Sequence, residues 1–383
     1  MRIDCVLCKG KGMCGLPRCP VMARFHARLP LAPKKEYQGA SPSVFIGSRG
    51  YPAMRGGPLL IDQPDIPPEW LAGGMGIEEI VAMRARTIRG LSTPGNDTEK
   101  IQEIALSSIP VDVEVGFCKP VSFDLSFDGI IAPVGMTGAI SSLLVTGSAR
   151  VERPVDRVSS DYDLGAGNAC SILHTSGIDV YHITRLLSAG LLGKKRRMVP
   201  TRWAITAVDN SVSADLSKRI RNYPNLGEIE VFCAELFGNK IAFLLFPGDW
   251  RFEMIEIWGK NSLWGRDGEC IVTDGEGKKK TGYSPITGAY YSARLAVAEY
   301  LHKIRRCARI VVIRSISSEY WAPLGTWVVR EAARSAVRST PGRPGSLEGA
   351  VAAASLHLGS SAWLAHSRLI PRIKSQKTLM DFQ

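Results

Sequence analysis

Glu228-Ile-Glu-Val-Phe-Cys-Ala-Glu-Leu-Phe237, Gly238-Asn239, Lys240-Ile-Ala-Phe-Leu-Leu-Phe246 is the stretch from which the fold class is read. Two runs rich in β-branched and aromatic residues flank a dipeptide that tolerates left-handed backbone, which reads as a hairpin with its turn at Gly238-Asn239. The strand run continues through 250–258, and 274–280 is a solvated basic tip. A helix over 289–306 follows, with Val297, Tyr300, Leu301 and Ile304 on its inner stripe. Next come a short buried strand over 309–314 and a helix over 326–338, whose Val329, Ala332, Ala333, Ala336 and Val337 recur at helical spacing. Upstream lie a short strand over 44–46 and a helix over 77–89 carried by Ile77, Ile80, Val81 and Arg84. Period-two alternation at 111–117 and 121–127 marks half-buried strands, and 178–192 reads as a helix. Thr201-Arg-Trp-Ala-Ile-Thr-Ala-Val-Asp209 reads as a strand, with a helix over 212–221 behind it. Strands in runs with helices between them predict an α+β protein of mixed, largely antiparallel sheets and packed helices.

The organisation expected around this core has four parts. Residues 1–30 form a small cysteine-rich knuckle, and 40–338 form the α+β body with a sub-boundary near 193–200. Residues 339–375 read as a linker with a short Ala-rich helix at 347–358. Residues 376–383 form a flexible C-terminal tail. The chain has 383 residues and a formal charge of +12, so acidic partners are expected, nucleic acid first among them. No apolar run approaches the roughly 18 residues that suggest a membrane span. The Met-Arg-Ile-Asp-Cys start has no secretory pattern, so a cytoplasmic protein with no membrane partner is expected.

Four of nine cysteines crowd into Cys5-Val-Leu-Cys8-Lys-Gly-Lys-Gly-Met-Cys14-Gly-Leu-Pro-Arg-Cys19. The others, Cys118, Cys170, Cys233, Cys270 and Cys307, read as small core residues. Four thiolates suit the closed tetrahedral site of a structural Zn2+, and metal would supply the folding free energy that so apolar-poor a segment lacks. An iron–sulfur cluster is the rival, although gaps of five and four residues fit ferredoxin spacing poorly.

The C-terminal Gln376-Lys-Thr-Leu379-Met-Asp-Phe382-Gln383 places Gln376, Leu379 and Phe382 on one edge of a 3₁₀ turn. It looks like the short peptide by which DNA-handling proteins dock on the sliding clamp PCNA, with Gln383 where a second aromatic is usual. Basic clusters at Lys194, Lys195, Arg196 and Arg197, at 303–309, and at Arg330, Arg334 and Arg338 are candidate phosphate contacts, because arginine matches phosphate bidentately. The same clusters also suit ordinary solvated faces. Arg202 beside Trp203 and Glu256 among aromatics suggest either a buried Arg202–Glu256 bridge or a functional pocket. Glu253, Glu256, Asp267 and Glu269 are the acids near enough in sequence for metal-dependent nuclease chemistry. P-loop, zincin and nucleophile-elbow motifs are lacking, and the six histidines are dispersed.

Together with the four N-terminal cysteines, several strings resemble the archaeal Nre family. They are Ser41-Pro-Ser-Val-Phe-Ile-Gly47 with Gly50-Tyr-Pro52, Val199-Pro-Thr-Arg-Trp-Ala-Ile-Thr-Ala-Val-Asp209, Trp250-x-Phe-Glu-x-Ile-Glu-x-Trp258, and Ala289-Tyr-Tyr-Ser-Ala-Arg-Leu-Ala-Val-x-Glu-Tyr-Leu301. The resemblance implies a role in the response to DNA damage, an N-terminal zinc finger and a C-terminal peptide recognised by PCNA. It implies no catalytic mechanism, and Asp267-Gly268-Glu269 lacks the histidine that relatives carry at the middle position. The leading expectation is a clamp-recruited DNA repair factor whose body contacts DNA. The alternative is a nuclease or transferase acting on DNA or nucleotides, with its site around Arg202, Trp203, Glu253 and Glu256.

Overall fold

The computed structural model describes residues 8, 10–13, 16–28, 32–61, 63, 65–122, 134–265, 268–276 and 282–375. The chain divides into two compact units, one mainly Cys19–Val212 and the other mainly the residues from Ser213 onward.

In the first unit, α1 (Pro20–Arg28) leads into β1 (Lys34–Ser41), β2 (Ser43–Ile46) and β3 (Gly56–Leu60), then α2 (Pro67–Ala72), α3 (Ile77–Arg86) and β4 (Ile88–Leu91). After α4 (Thr98–Leu106) come β5 (Val111–Val121) and β6 (Met136–Val145), then α5 (Arg153–Ser160), α6 (Ala166–Thr175) and α7 (Val180–Ser188). The six strands form one sheet in the order β1-β5-β6-β4-β3-β2, antiparallel except for the parallel β4–β6 pair. The alternation read at 111–117 is real: Val111, Val113, Val115 and Phe117 are buried. β5 pairs with β1 on one side and β6 on the other, and most of the strand expected over 121–127 lies outside the described residues. The helix expected to reach residue 89 stops at Arg86, because Ile88 already pairs in the sheet.

The strand expected over 201–209 is instead the start of a helix, α8 (Thr201–Ile220), which carries the chain through the division between the units. Ala204, Val208, Val212, Leu216 and Ile220 are all buried at intervals of four, the spacing of one helical face. The Pro200 carbonyl accepts from the amides of Trp203 and Ala204 and starts the helix. The isoleucine and valines that suggested a strand serve here as a helix stripe, because packing overrides propensity. The boundary expected near 193–200 accordingly lies at 212/213.

The second unit contains β7 (Glu230–Leu236), β8 (Asn239–Pro247), β9 (Arg251–Trp258), β10 (Cys270–Gly275), α9 (Gly288–Ile304), β11 (Ala308–Ile316) and α10 (Trp327–Arg338). It ends in α11 (Leu347–Leu358), a 3₁₀ turn over Ala362–His366 and α12 (Leu369–Ser375). The sheet order is β10-β9-β11-β8-β7, antiparallel except between β9 and β11. The hairpin read from the sequence is present, with its turn one residue earlier. Leu236 pairs with Asn239, and the two loop residues are Phe237 and Gly238 at φ 51° and 69°. Two successive positive φ values give the primed turn whose twist suits a hairpin. Asn239 is thereby freed to use its side chain inside the sheet.

Both faces of this sheet are covered, which explains why 241–246 is apolar without alternation. On one face the Phe232 ring meets Tyr300 of α9 and Phe252 meets Tyr290, each at 5.0 Å between centroids. On the other, Ala242, Leu244, Phe246, Ile255, Ile257, Val311 and Ile313 pack with Ala350, Ala354, Leu358, Trp363 and Ile370. The stretch 339–375, expected as a linker, is therefore largely the cover of that second face. Its alanines permit close helix-to-sheet approach, and Trp363 fills the space they leave. Cys170 and Cys307 are buried as expected, whereas Cys118 and Cys270 are exposed. Among the described residues no helix is long and apolar enough to cross a membrane.

Two outcomes follow from this packing. Trp363→Ala should lower stability by about 3–5 kcal/mol in urea denaturation, the range for emptying an aromatic site. His182, whose ring bonds the Ala105 carbonyl at 3.1 Å, has its imidazole pKa lowered to about 4 by burial and then by the charge of Arg185. The unfolded chain takes up this proton near the ordinary pKa of about 6.5 and the native chain does not. Stability is thus fully present above pH 6.5 and falls as the pH drops towards 4, by on the order of 3 kcal/mol. A His182→Gln variant should flatten that part of the pH–stability curve.

Candidate functional site

Trp203 sits in the first turn of α8, where the helix phase points it away from the buried stripe of Ala204 and Val208. Its indole is 44% exposed, and Tyr51, from the turn between β2 and β3, is 58% exposed. Their ring centroids lie 5.3 Å apart with planes inclined at 57°, and the Arg202 guanidinium stands 5.9 Å from the Trp203 ring. The start of α8 is pinned beneath them: Thr201 Oγ1 accepts from the Ile46 amide at 2.9 Å and shares a 3.0 Å hydrogen bond with Ser188 Oγ. Two large rings and an arginine thus stand together in water at the start of the helix.

The basic loop before α8 adds charge to the same unit. Lys194, Lys195 and Arg197 are exposed. Arg196 is used differently: its guanidinium donates to the Ser159 and Asp161 carbonyls, each at 2.7 Å, and also to the Leu191 carbonyl. It then lies 4.3 Å from the ring of Tyr162, another aromatic that is 68% exposed. The unit thus carries two separate exposed aromatic–cation groups, Tyr51–Trp203 with Arg202 and Tyr162 with Arg196.

Other expected site residues fall elsewhere. Arg202 makes no bridge to Glu256. Glu256 faces Arg314 directly across the parallel β9–β11 ladder, at 2.6 Å and nearly without solvent. Its other oxygen accepts from Trp258 Nε1 at 2.8 Å, and Arg314 also donates to Asn239 Oδ1. Glu253 projects from the opposite face of β9 and accepts from Ser367 Oγ at 2.5 Å and from the Arg368 and Leu369 amides at 2.7 and 3.3 Å. Each carboxylate is thus engaged by its own donors, and strand alternation keeps them from converging on one metal. Glu269 is exposed and Asp267 lies outside the described residues.

The expected arginine edge of α10 is also redistributed. Arg330 is only 1% exposed, and Arg334 is buried against Glu299 in a two-pronged pair at 2.9 and 3.1 Å. Only Arg338 of the three reaches solvent. Of the cysteine set, Cys8 is buried and Cys19 half-buried, while Cys5 and Cys14 lie outside the described residues, as do Gln376, Leu379 and Phe382. Among the described residues no group of three metal-ligating side chains occurs.

Residues 13–265 match the family profile described as "Archaeal Nre, N-terminal" and residues 276–382 match "Archaeal Nre, C-terminal". The chain belongs to the archaeal Nre family. It is 34% identical to the DNA repair protein NreB of Archaeoglobus fulgidus, over 99% of this chain and 100% of that one. It is 33% identical to NreA of the same organism over 99% of both chains. With the DNA repair protein NreA of Haloferax volcanii it shares 34% identity over 78% of this chain and 77% of that one. No solved structure matches it. The two Nre profiles are separated by residues 266–275, which include β10, so the profile boundary does not coincide with the structural division at 212/213.

The charged pair in this Nre chain gives a direct test. Glu256→Gln should cost about 3–5 kcal/mol of stability, because it strands the buried Arg314 charge. Glu256→Leu combined with Arg314→Met should recover most of that loss in the same denaturation assay.

Proposed function

We propose that this protein acts in DNA repair, recruited to the PCNA clamp by its C-terminal peptide and holding unstacked or single-stranded DNA on the Tyr51–Trp203 surface. The exposed pair of rings beside Arg202 is the observation that carries the reading, since an aromatic face stacks on any base. Three relatives, all named as DNA repair proteins, support the repair role. Lys194, Lys195 and Arg197 supply phosphate contacts whose strength falls with salt. Gln376, Leu379 and Phe382 are the clamp-docking residues, and the peptide begins one residue after α12 ends at Ser375. The protein works in the cytoplasm, alongside the chromosome.

A structural zinc on Cys5, Cys8, Cys14 and Cys19 completes the reading. The donor set fits: four thiols suit tetrahedral zinc, and the chain turns after Cys8 at Gly10 and Gly12, with φ of 79° and 76°. Bound metal would tie the cysteine-rich segment together and supply its folding free energy.

Three measurements on the full chain separate these parts. Trp203→Ala or Tyr51→Ala should weaken binding to a fluorescent single-stranded oligonucleotide about tenfold, the value of one stacked base. Equal binding by wild type and both variants refutes the platform. Phe382→Ala should abolish capture by the clamp while leaving DNA affinity intact. Metal analysis should find zinc in the wild type and a loss in Cys8→Ser and Cys19→Ser, whereas iron would favour the cluster.

A further inference from the structure

A cleft of about 440 Å³ opens in the second unit between the first residues of β9 and β11 and the terminal helix α12. Its volume is in the range of small-ligand sites. Arg251 and Arg309 line it from neighbouring strands and are paired directly opposite one another in the parallel ladder. Like charges at facing sheet positions repel, so this placement weakens the sheet unless an anion lies between them. Arg368, just before α12, and Arg372, within it, line the cleft from the side of that helix.

The carboxylates in the lining offset these four cations only in part, and none forms an ion pair with them. Glu276 is spent on Arg294, at 2.9 Å, and on Trp250 Nε1, at 2.8 Å. Glu253 is held by the three donors at the start of α12. Asp249 remains, exposed at the rim. Among the described residues none of the four guanidiniums forms an ion pair with a carboxylate.

The Arg309 guanidinium lies against the backbone of Gly248, where a Cβ would stand 2.4 Å from its Nε and 2.7 Å from its Cζ. Glycine at this position therefore leaves the arginine head room beside the cleft. Leu369 and Ile373 add an apolar wall beside the cations.

We propose that this cleft binds a nucleotide, its phosphate on Arg251, Arg309, Arg368 and Arg372 and its sugar or base against Leu369 and Ile373. Arginine forks suit phosphate oxygens bidentately, and the volume exceeds what a phosphate ion alone would fill. Glu253 is a positioning residue here, because it holds the α12 wall against β9. The nucleotide arrives either free or as the phosphorylated end of a DNA strand.

Calorimetric titration of the full chain with AMP, ATP, inorganic phosphate and one oligonucleotide carrying either a 5′-phosphate or a 5′-hydroxyl tests this. A phosphorylated nucleotide probe should bind, and the Arg368→Ala/Arg372→Ala variant should bind it at least tenfold more weakly. Arg309→Ala should act alike, and if it fails to fold, the exposed α12 pair still decides. Arg343→Ala, at an exposed arginine paired with Glu228 at 3.1 Å, should change nothing. Preference for AMP or ATP indicates a free nucleotide, and preference for the 5′-phosphate over the 5′-hydroxyl strand indicates a DNA end. Trp203→Ala should weaken the 5′-hydroxyl strand but leave AMP and ATP affinity unchanged, which separates this cleft from the aromatic surface. The proposal is overturned if no nucleotide probe binds below millimolar concentration, if inorganic phosphate binds as tightly as the nucleotides, or if the double variant binds like wild type.

Discussion

Glu256 and Arg314 face each other across the parallel β9–β11 ladder, both almost fully withdrawn from water. A lone ion at that depth would cost several kcal/mol, so each can remain charged only while the other is in register. Asn239 and Trp258 take up further donor and acceptor positions on the pair. A one-residue slip of β9 would separate the charges and turn every side chain of the strand to the wrong face. The network thus joins the hairpin turn, the central strand and its parallel neighbour into one arrangement. The same constraint makes Glu256 unsuited to chemistry, because both its oxygens are already committed to Arg314 and Trp258.

Glu253, three residues away on the other face, binds in a different way. It has no arginine partner and instead gathers a hydroxyl and two amides where the 3₁₀ turn gives way to α12. Hydrogen bonds to a carboxylate are stronger than neutral ones, so this point fastens the end of the chain to β9. With Trp363 and Ile370 in the core beneath, the final helix is a wall of the unit and not a loose tether.

The α+β class and most elements of the second unit were legible, because 241–246, 250–258, 289–306 and 326–338 carry strong period or length signals. The helix at 201–220 was also legible in principle: Ala204, Val208, Val212, Leu216 and Ile220 recur every four residues. Within 201–209 alone, the β-branched residues Thr201, Ile205, Thr206 and Val208 outweigh that stripe. The hairpin turn was displaced by one residue because Phe237 adopts a positive φ that its side chain type disfavours, with its ring 6.3 Å from that of Trp327. The Tyr51–Trp203 pair and the Arg251–Arg309 pair join residues far apart in sequence, and no local pattern announces them. The mistaken Arg202–Glu256 bridge had the same origin: the need for a buried cation was sound, but sheet pairing placed Arg314 there.

The charge of the chain separates by burial into two populations. Arg294, Arg314 and Arg334 are buried and matched to Glu276, Glu256 and Glu299 at 2.9, 2.6 and 2.9 Å, so they contribute little to the external field. Removing these neutral pairs leaves the excess of +12 untouched, and it must therefore reside on the remaining groups. Lys194, Lys195 and Arg197 beside a helix start, and four arginines around one cleft, are places where that excess is concentrated instead of dispersed. Concentrated like charge destabilises a folded chain unless a partner removes it. A fold that pairs its interior cations closely thus leaves its excess charge in two chemically distinct settings, exposed lysines in a loop before a helix and arginines around a cleft.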